Sequence, residues 1–460
     1  MKVTVVGMGI EGVDLTRYLV GKGASVTISD ARTADRLAPR LKELEGLPVR
    51  FALGANNPAD TVDADVVFVS QGVPLDIPAL AAARERKIPL DSMMRLFLDL
   101  CPGPVVGITG SSGKSTTTSL VGAIFAAAGR KHVMGGNIGV GLLSLLDEIT
   151  PETWVVLEVS HTQLELAQRS PHVACVLNVT PKHLDRYSWE DYVELKRKAI
   201  RYQTADDTTV LGYDNEVARS FAAETKGRTV FFSMNSDVRG PAAALKDGAI
   251  VWRDGGIDRD VMPVADIPLR GRHNVENVLA ATAIASSCGI SVEHIAAAVR
   301  QFQAVPHRLE FVATVDGVAY YNDSIATTPE RTLAGIRSFE EPLVLLLGGR
   351  EKHLPLAEMS REACERCRAL VFFGEARETL AAAARAACDD VGAAKTVDIE
   401  VVETLEEAVV AARAAARPGD VVLLSPACTS FDAYDNFEER GEHFRRLVSE
   451  MRQVSGGTRP

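Results

Sequence analysis

The sequence predicts a three-domain α/β chain, with Rossmann-like domains at its two ends and a central domain built on a phosphate-binding loop. Three observations lead there. Val/Ile/Leu runs alternate with Ala-rich amphipathic stretches along the whole chain, the pattern of strands and helices in turn. Several apolar runs open into loops rich in Gly, Ser, Asn or Asp, where doubly wound sheets bind ligands. The chain has 460 residues, enough for about three domains. The boundaries fall at 1–100, 101–304 and 305–460, with Pro102-Gly-Pro104 as the first linker.

Composition narrows the class. Hydrophobic residues make up 46% and charged residues 24%, as in soluble α/β proteins. A net charge of −11 with no basic block argues against a nucleic-acid partner, so anionic ligands must be held by local sites. Seven scattered cysteines predict reduced thiols and a cytoplasmic protein. Cys364-Glu-Arg-Cys367 is a single CxxC in a helical-looking stretch and carries no metal or redox reading by itself. No apolar run approaches the roughly 20 residues of a membrane span, and the N-terminus opens with a strand rather than a signal peptide.

Residues 2–6 form a buried strand that enters Gly7-Met-Gly9-Ile-Glu-Gly12 and a helix to about Gly21. A second strand, 25–29, ends at Asp30. This is the dinucleotide fingerprint, and NAD(P) is its first reading. The glycines specify only close backbone approach to a diphosphate, which a nucleotide-sugar also satisfies. Glu11 inside the turn would repel a diphosphate at close range. A third strand, 65–70, runs into Gln71-Gly72-Val-Pro74.

The second block carries the most specific stretch, Pro104-Val-Val-Gly-Ile-Thr-Gly-Ser-Ser-Gly-Lys-Ser-Thr-Thr-Thr118. A buried strand breaks into a glycine-rich loop, and a helix follows from Ser115. Backbone N–H groups of such a loop point at phosphates, Lys114 reaches the outer ones, and the Ser115 hydroxyl can hold Mg²⁺. Its register departs from the common eight-residue pattern, with Gly107 one place early and Gly110 added. Gly135-Gly-Asn-Ile-Gly139 can also approach a ligand closely. A strand over 154–157 ends on Glu158, where a carboxylate beside a phosphate loop can ligate Mg²⁺ or simply face water. Residues 173–179 form another strand and lead to His183 in Thr180-Pro-Lys-His183-Leu-Asp-Arg-Tyr187. Lys196, Arg197 and Lys198 on the next helix read as a solvated face. Short strands with turns at Asn235-Ser236 and Asp254-Gly-Gly256 occupy 228–269. In Arg272-His-Asn274-Val-Glu-Asn277, two asparagines one turn apart could read a base edge or cap a helix.

The third block returns to alternating strands and helices. Strands over 318–321, 342–347, 369–373 and 420–424 lead into Asn322-Asp323-Ser324-Ile325-Ala326-Thr327, Gly348-Gly-Arg350-Glu-Lys352, Gly374, and Ser425-Pro-Ala-Cys-Thr-Ser430-Phe-Asp432. Polar loops gathered at strand ends indicate a ligand site on one edge of the sheet. The tail over 454–460 is polar and Gly-rich. An ATP·Mg²⁺ site flanked by two ligand domains suggests that ATP is used to join two molecules.

These motifs resemble the Mur ligase family nearly end to end, and most of all its glutamate-adding branch. The markers are Thr109-Gly-Ser-Ser-Gly-Lys-Ser115, Gly135-Gly-Asn-Ile-Gly139, Leu157-Glu-Val-Ser160, His183-Leu-Asp-Arg-Tyr187, His273-Asn-Val-Glu-Asn277, Asn322-Asp-Ser324, and Leu424-Ser-Pro-Ala-Cys428 with Asn436-Phe-Glu-Glu-Arg-Gly441. The resemblance implies a central P-loop ATPase domain and an ATP-dependent ligase of peptidoglycan precursor synthesis. In that chemistry the carboxylate of UDP-N-acetylmuramoyl-L-alanine takes the γ-phosphoryl group, and the amine of glutamate then displaces phosphate. Lys114, Glu158, His183 and Lys198 would be catalytic. ATP would lie on Thr109, Gly110, Ser111, Ser112, Gly113, Lys114, Ser115, Thr116, Asn274, Asn277, Arg308 and Asp323. Two Mg²⁺ ions would be held by Ser115, Glu158 and His183, assisted by Lys198 as a CO₂-derived carbamate, with Lys196 as the fallback. Gly9, Gly12, Arg32, Ser70, Gly72 and Asn137 would bind the UDP-sugar, and Thr327, Lys352, Ser430 and Phe437 the amino acid. A monomer with no membrane partner is expected.

Four positions depart from the family pattern. Ile325 stands where many members have Lys, Glu11 and His161-Thr162 replace other residues, and Arg350 replaces an acidic one. They bear on how the amino acid is gripped, so L-glutamate, another Mur ligase substrate or a folylpolyglutamate synthase activity is the alternative. The first domain argues against the folate enzyme.

Overall fold

A computed structural model describes residues 1–138, 141–184, 186–303, 305–391 and 397–456. Gly139, Asp185, the boundary position 304 and the last residues of the tail, 457–460, lie outside the described residues. The chain forms two compact units, Met1–Ile267 with Val275–Gln301, and Pro268–Asn274 with Phe302–Pro460. Each is taken by itself.

The first unit holds two sheets. One contains β1 (Lys2–Val6), β2 (Ser25–Asp30), β3 (Val49–Leu53), β4 (Val66–Val69) and β5 (Leu90–Asp91), all parallel in the order β3-β2-β1-β4-β5. The order reverses beside β1, so the Gly7 turn and the Ser70 loop meet at a switch point. Ser70 Oγ donates to the Gly7 carbonyl at 2.7 Å. A Cβ on Gly12 would stand 2.2 Å from that same carbonyl oxygen, so only glycine lets the helix Ile10–Gly21 start this close to β1.

The other sheet contains β6 (Val105–Thr109), β7 (His132–Gly136), β8 (Trp154–Glu158), β9 (Val173–Val176), β10 (Thr208–Gly212), β11 (Arg228–Ser233), β12 (Ala242–Lys246), β13 (Ala249–Asp254) and β14 (Ile257–Pro263). Their order is β14-β13-β12-β11-β10-β9-β6-β8-β7. Strands from β7 to β12 run parallel and the last two antiparallel. The hairpin turns at Asp247-Gly248 and Gly255-Gly256 take positive φ at both residues, the primed geometry that matches strand twist. All five residues of β6 are buried, because it lies between β8 and β9 with both faces covered. One apolar cluster runs from Val3, Val5 and Phe97 of the first sheet region to Leu142, Leu157 and Val176 of the second. Pro102-Gly-Pro104 is packed rather than free, since a Cβ on Gly103 would meet the Thr153 carbonyl at 2.2 Å.

The second unit holds β15 (Glu310–Val315), β16 (Val318–Asn322), β17 (Leu343–Gly348), β18 (Cys367–Phe373), β19 (Asp398–Val401) and β20 (Val421–Ala427) in the order β15-β16-β20-β17-β18-β19. Only the β15–β16 pair is antiparallel. The expectation that all cysteines are reduced is corrected here. Cys364 and Cys388 form a disulfide between the helices Ala357–Arg366 and Arg377–Val391, while Cys101, Cys175, Cys288, Cys367 and Cys428 are not disulfide-bonded among the described residues. Cys367, the other member of the CxxC pair, begins β18. Among the described residues, no helix is long and apolar enough to cross a membrane.

Candidate active site

The phosphate loop leaves β6 at Gly110, with φ +158°, and enters the helix Lys114–Ala127 through Gly113, with φ +85°. A Cβ on Gly113 would lie 2.4 Å from Asn277 Oδ1, so glycine is required there by both backbone and space. Asn178, just past β9, brackets the loop. Its Oδ1 accepts from Ser112 N at 2.9 Å, and its carbonyl accepts from Ser111 N at 2.9 Å. Ser111 Oγ donates to the Thr180 carbonyl at 3.1 Å and lies 3.1 Å from Tyr192 Oη. Asn277 also accepts from Thr117 Oγ1 at 3.3 Å. These contacts preset the loop before any phosphate arrives.

Two lysines converge on the loop. Lys114 Nζ donates to the Gly110 carbonyl at 3.0 Å. Lys196 Nζ donates to Thr109 Oγ1 at 3.0 Å and to the Gly110 carbonyl at 3.2 Å. Lys196 is 1% exposed, and burial, then the charge of Lys114, holds its amine well below the usual lysine range, with Glu158 opposing. Of the two candidate lysines, Lys196 is thus the one beside the loop. Lys198 instead donates to the Glu165 carbonyl at 2.6 Å, away from the loop. Residues two apart on a helix point to nearly opposite faces, so only one of the pair can face β6. Their common look as a charged run hid this difference.

Glu158 ends β8, adjacent to β6. Its Oε1 accepts from Asn137 Nδ2 at 2.8 Å, whereas Oε2 is buried and finds no hydrogen-bond partner among the described residues. A buried carboxylate oxygen left open beside a phosphate loop fits a Mg²⁺ ligand, because Mg²⁺ takes one or two carboxylates plus phosphate and water. Among the described residues no cluster of three or more acidic, His or Cys side chains forms. His183 adopts a left-handed backbone, φ +58°, and its ring stacks on His161 at 4.1 Å. Burial, then His183, pushes His161 down to about 3, so His161, one of the departures from the family pattern, is a neutral partner of His183.

On the first sheet, Gly9 precedes the helix Ile10–Gly21 with open space around it, and Gly72 takes φ +83°. Arg32 pairs with Asp30 through two hydrogen bonds, 3.0 Å from Nε to Oδ1 and 2.7 Å from Nη2 to Oδ2, and Asp30 also accepts from Met8 N at 2.7 Å. The carboxylate that a dinucleotide ribose would need is thus engaged. Two departures meet in one network: Gln71 Nε2 donates to Glu11 Oε1 at 2.5 Å, and Thr162 Oγ1 donates to Gln71 Oε1 at 3.2 Å.

In the second unit, Asp323 is buried after β16 and accepts from Ser425 Oγ at 3.0 Å and Leu309 N at 3.2 Å. Burial pushes its carboxyl up to about 7. Arg308 bears electrostatically on both Asp323 and the half-buried His273, which is pushed down to about 4 by desolvation first. Asn274 Nδ2 donates to the Arg270 carbonyl at 2.6 Å. Lys352 Nζ donates to Thr327 Oγ1 at 3.3 Å, bringing those two predicted residues together, and burial lowers the lysine. Ser430 is buried, and its carbonyl starts the turn by accepting from Tyr434 N. The Phe437 carbonyl accepts from Ser324 Oγ at 2.8 Å. The residue missed outright is Arg440, fully buried, which donates to Ser324 and to the carbonyls of Gly348, Cys428 and Thr429. Arg350 is held by Glu375 at 2.8 Å.

Family models match three stretches in order: the Mur ligase MurD-like N-terminal domain over 1–91, the Mur ligase middle domain over 108–285, and the Mur ligase glutamate ligase domain over 307–428. The chain belongs to the Mur ligase family. Among its relatives, the UDP-N-acetylmuramoylalanine–D-glutamate ligase of Symbiobacterium thermophilum is 42% identical, over 98% of each chain. The enzyme of the same name from Acetivibrio thermocellus is 40% identical, over 98% of this chain and 96% of its own. In fold, this Mur ligase is similar to the UDP-N-acetylmuramate-alanine ligase of Thermotoga maritima, with a TM-score of 0.60 at 19% identity, covering 99% of this chain and 100% of that one.

Proposed function

We propose that this Mur ligase joins D-glutamate to UDP-N-acetylmuramoyl-L-alanine at the expense of ATP, through an acyl phosphate, in peptidoglycan precursor synthesis. The observation that carries the reading is the 42% identity to a D-glutamate ligase over nearly the whole of both chains. The loop geometry supports its first half-reaction. The substrate carboxylate attacks the γ-phosphorus, the bond to the β-phosphate oxygen breaks, and ADP leaves. Lys114 and the loop N–H groups stabilise the charge that moves. The glutamate amine then attacks the acyl carbon, phosphate departs, and the amine proton is lost to base. Mg²⁺, when bound, neutralises phosphate charge. Ser115 and Glu158 would hold one ion and His183 the second.

Lys196 is our choice for the carbamate, in place of Lys198. A buried amine kept neutral is the nucleophile that CO₂ needs; the N–C bond forms, one proton leaves the nitrogen, and a neutral amine becomes an anionic oxygen donor. Thr109–Thr116, Asn274, Asn277, Arg308 and Asp323 would receive ATP. Gly9, Gly12, Arg32, Ser70, Gly72 and Asn137 would receive the UDP-sugar, and Thr327, Lys352, Ser430 and Phe437 the glutamate. Regions 1–100, 101–304 and 305–460 would serve those three ligands in a cytoplasmic monomer.

Phosphate release with ATP, Mg²⁺ and UDP-N-acetylmuramoyl-L-alanine tests the reading. D-glutamate should drive it and L-glutamate should not. Stimulation by L-glutamate alone, or by neither, overturns it.

A further inference from the structure

Glu11 and Asp14 stand near each other on the helix Ile10–Gly21, and both side chains reach from the first sheet region of their unit into the second. Asp14 accepts from Leu143 N at 2.8 Å and Ser144 N at 3.2 Å, in the segment between β7 and β8. Glu11 reaches the segment after β8. Its Oε1 accepts from Gln71 Nε2 at 2.5 Å and Gln163 Nε2 at 2.8 Å. Both carboxamides then turn to Ser160. Gln71 Oε1 accepts from Ser160 Oγ at 3.0 Å, and Gln163 Oε1 accepts from Ser160 N at 2.9 Å. Ser160 lies two residues past Glu158 and, with Gln163, forms a reciprocal cap on the helix His161–Leu164.

We propose that Glu11 is a positioning residue for phosphoryl transfer: by holding Gln71 and Gln163 it sets the Ser160 cap, and thereby the aim of Glu158, from the glycine turn of the first sheet. The proposal rests on the reading of Glu158 as a Mg²⁺ ligand. Two carboxamides fixed at both ends have no freedom to let the cap drift, and a strand-end carboxylate turns with the backbone that follows it. Burial favours the protonated carboxyl at Glu11. Its acceptor oxygen, more than its charge, makes the link, so glutamine is the conservative replacement. The charge that looks misplaced in a diphosphate-binding turn is in fact directed into the protein.

The test compares wild type, Glu11→Gln, Glu11→Ala and Gln71→Met as full-length protein. Amide hydrogen exchange over residues 159–164 is measured without ligand, and binding of a non-hydrolysable ATP analogue is titrated against Mg²⁺ by calorimetry. Glu11→Ala should speed exchange there about tenfold or more and raise the Mg²⁺ concentration needed for nucleotide binding about fivefold. Glu11→Gln should stay near wild type on both, and KM for glutamate should not move. Gln71→Met, which removes the relay while keeping its volume, should follow Glu11→Ala and decides the matter should that variant not fold. Unchanged exchange in both variants overturns the proposal. So does faster exchange with an unchanged Mg²⁺ requirement, which would leave Glu11 a packing contact. Failure of glutamate-driven phosphate release in wild type would defeat the functional reading instead.

Discussion

Lys114 and Lys196 direct their amino groups at one carbonyl oxygen, that of Gly110, from 3.0 and 3.2 Å. Two cations cannot share so small a volume cheaply, and burial, then the charge of Lys114, holds the Lys196 amine well below the usual lysine range. Lys114 keeps the helix N-terminus, where the phosphates of ATP would lie. Lys114→Ala should lower kcat by about 100-fold or more, since it removes the cation that offsets triphosphate charge in a dry cleft. A loss under tenfold, below about 1.4 kcal/mol, in a steady-state phosphate-release assay would exclude that role.

Lys196→Ala should be nearly inactive, and a short carboxylic acid such as acetate should restore part of the rate by replacing the carbamate oxygens. Lys198→Ala should keep its rate within about threefold, because its contact is to the Glu165 carbonyl. The reverse ranking would return the assignment to Lys198. Incorporation of ¹³C-labelled CO₂, read by NMR in wild type and in each variant, checks the modification without turnover.

Asp323 predicts a pH effect on stability. Burial pushes its folded carboxyl up to about 7, from an ordinary aspartate value of 3.8, so the folded state binds more protons between those values. Its contribution is fully present below about pH 4 and is lost as pH rises through 7. Asp323→Asn removes this dependence. Thermal unfolding of the ligand-free protein at pH 5, 6, 7 and 8 should show the variant gaining on wild type with rising pH, by a few kcal/mol at most. Parallel curves would contradict the assignment.

Arg440 ties the exits of three neighbouring strands, β16, β17 and β20, through Ser324, Gly348 and Cys428. Arg440→Lys keeps a charge but loses the planar fork, leaving buried carbonyls without donors. It should cost about 3 kcal/mol of stability, read by denaturant unfolding. The KM for glutamate should rise about tenfold, because Ser324 also holds the Phe437 carbonyl. A stable variant with unchanged KM would make Arg440 dispensable.

Much of the architecture was legible because local signals agreed. β1 spans Lys2–Val6 as read, β8 ends on Glu158, and a helix follows Gly113. A fully apolar run ending in glycines admits few other structures. The polar loops at the carboxyl ends of the parallel strands were legible as loops for the same reason. The disulfide was not, because Cys364 meets a residue 24 positions away across two helices whose packing no spacing rule describes.

What the sequence by itself determined is the order of strands and helices, the phosphate loop, and the family to which its motifs point. These depend on residues close in the chain, where backbone preference and apolar period act directly. Only the tertiary structure decided which lysine meets the loop, where Glu11 sends its carboxyl, and that one oxygen of Glu158 stays open. Each of those depends on which buried surfaces face one another. Lys196 and Lys198 are the same residue type, two positions apart on the same helix. Burial against β6 holds the amine of one below the usual lysine range beside the phosphate loop, while the other donates to Glu165.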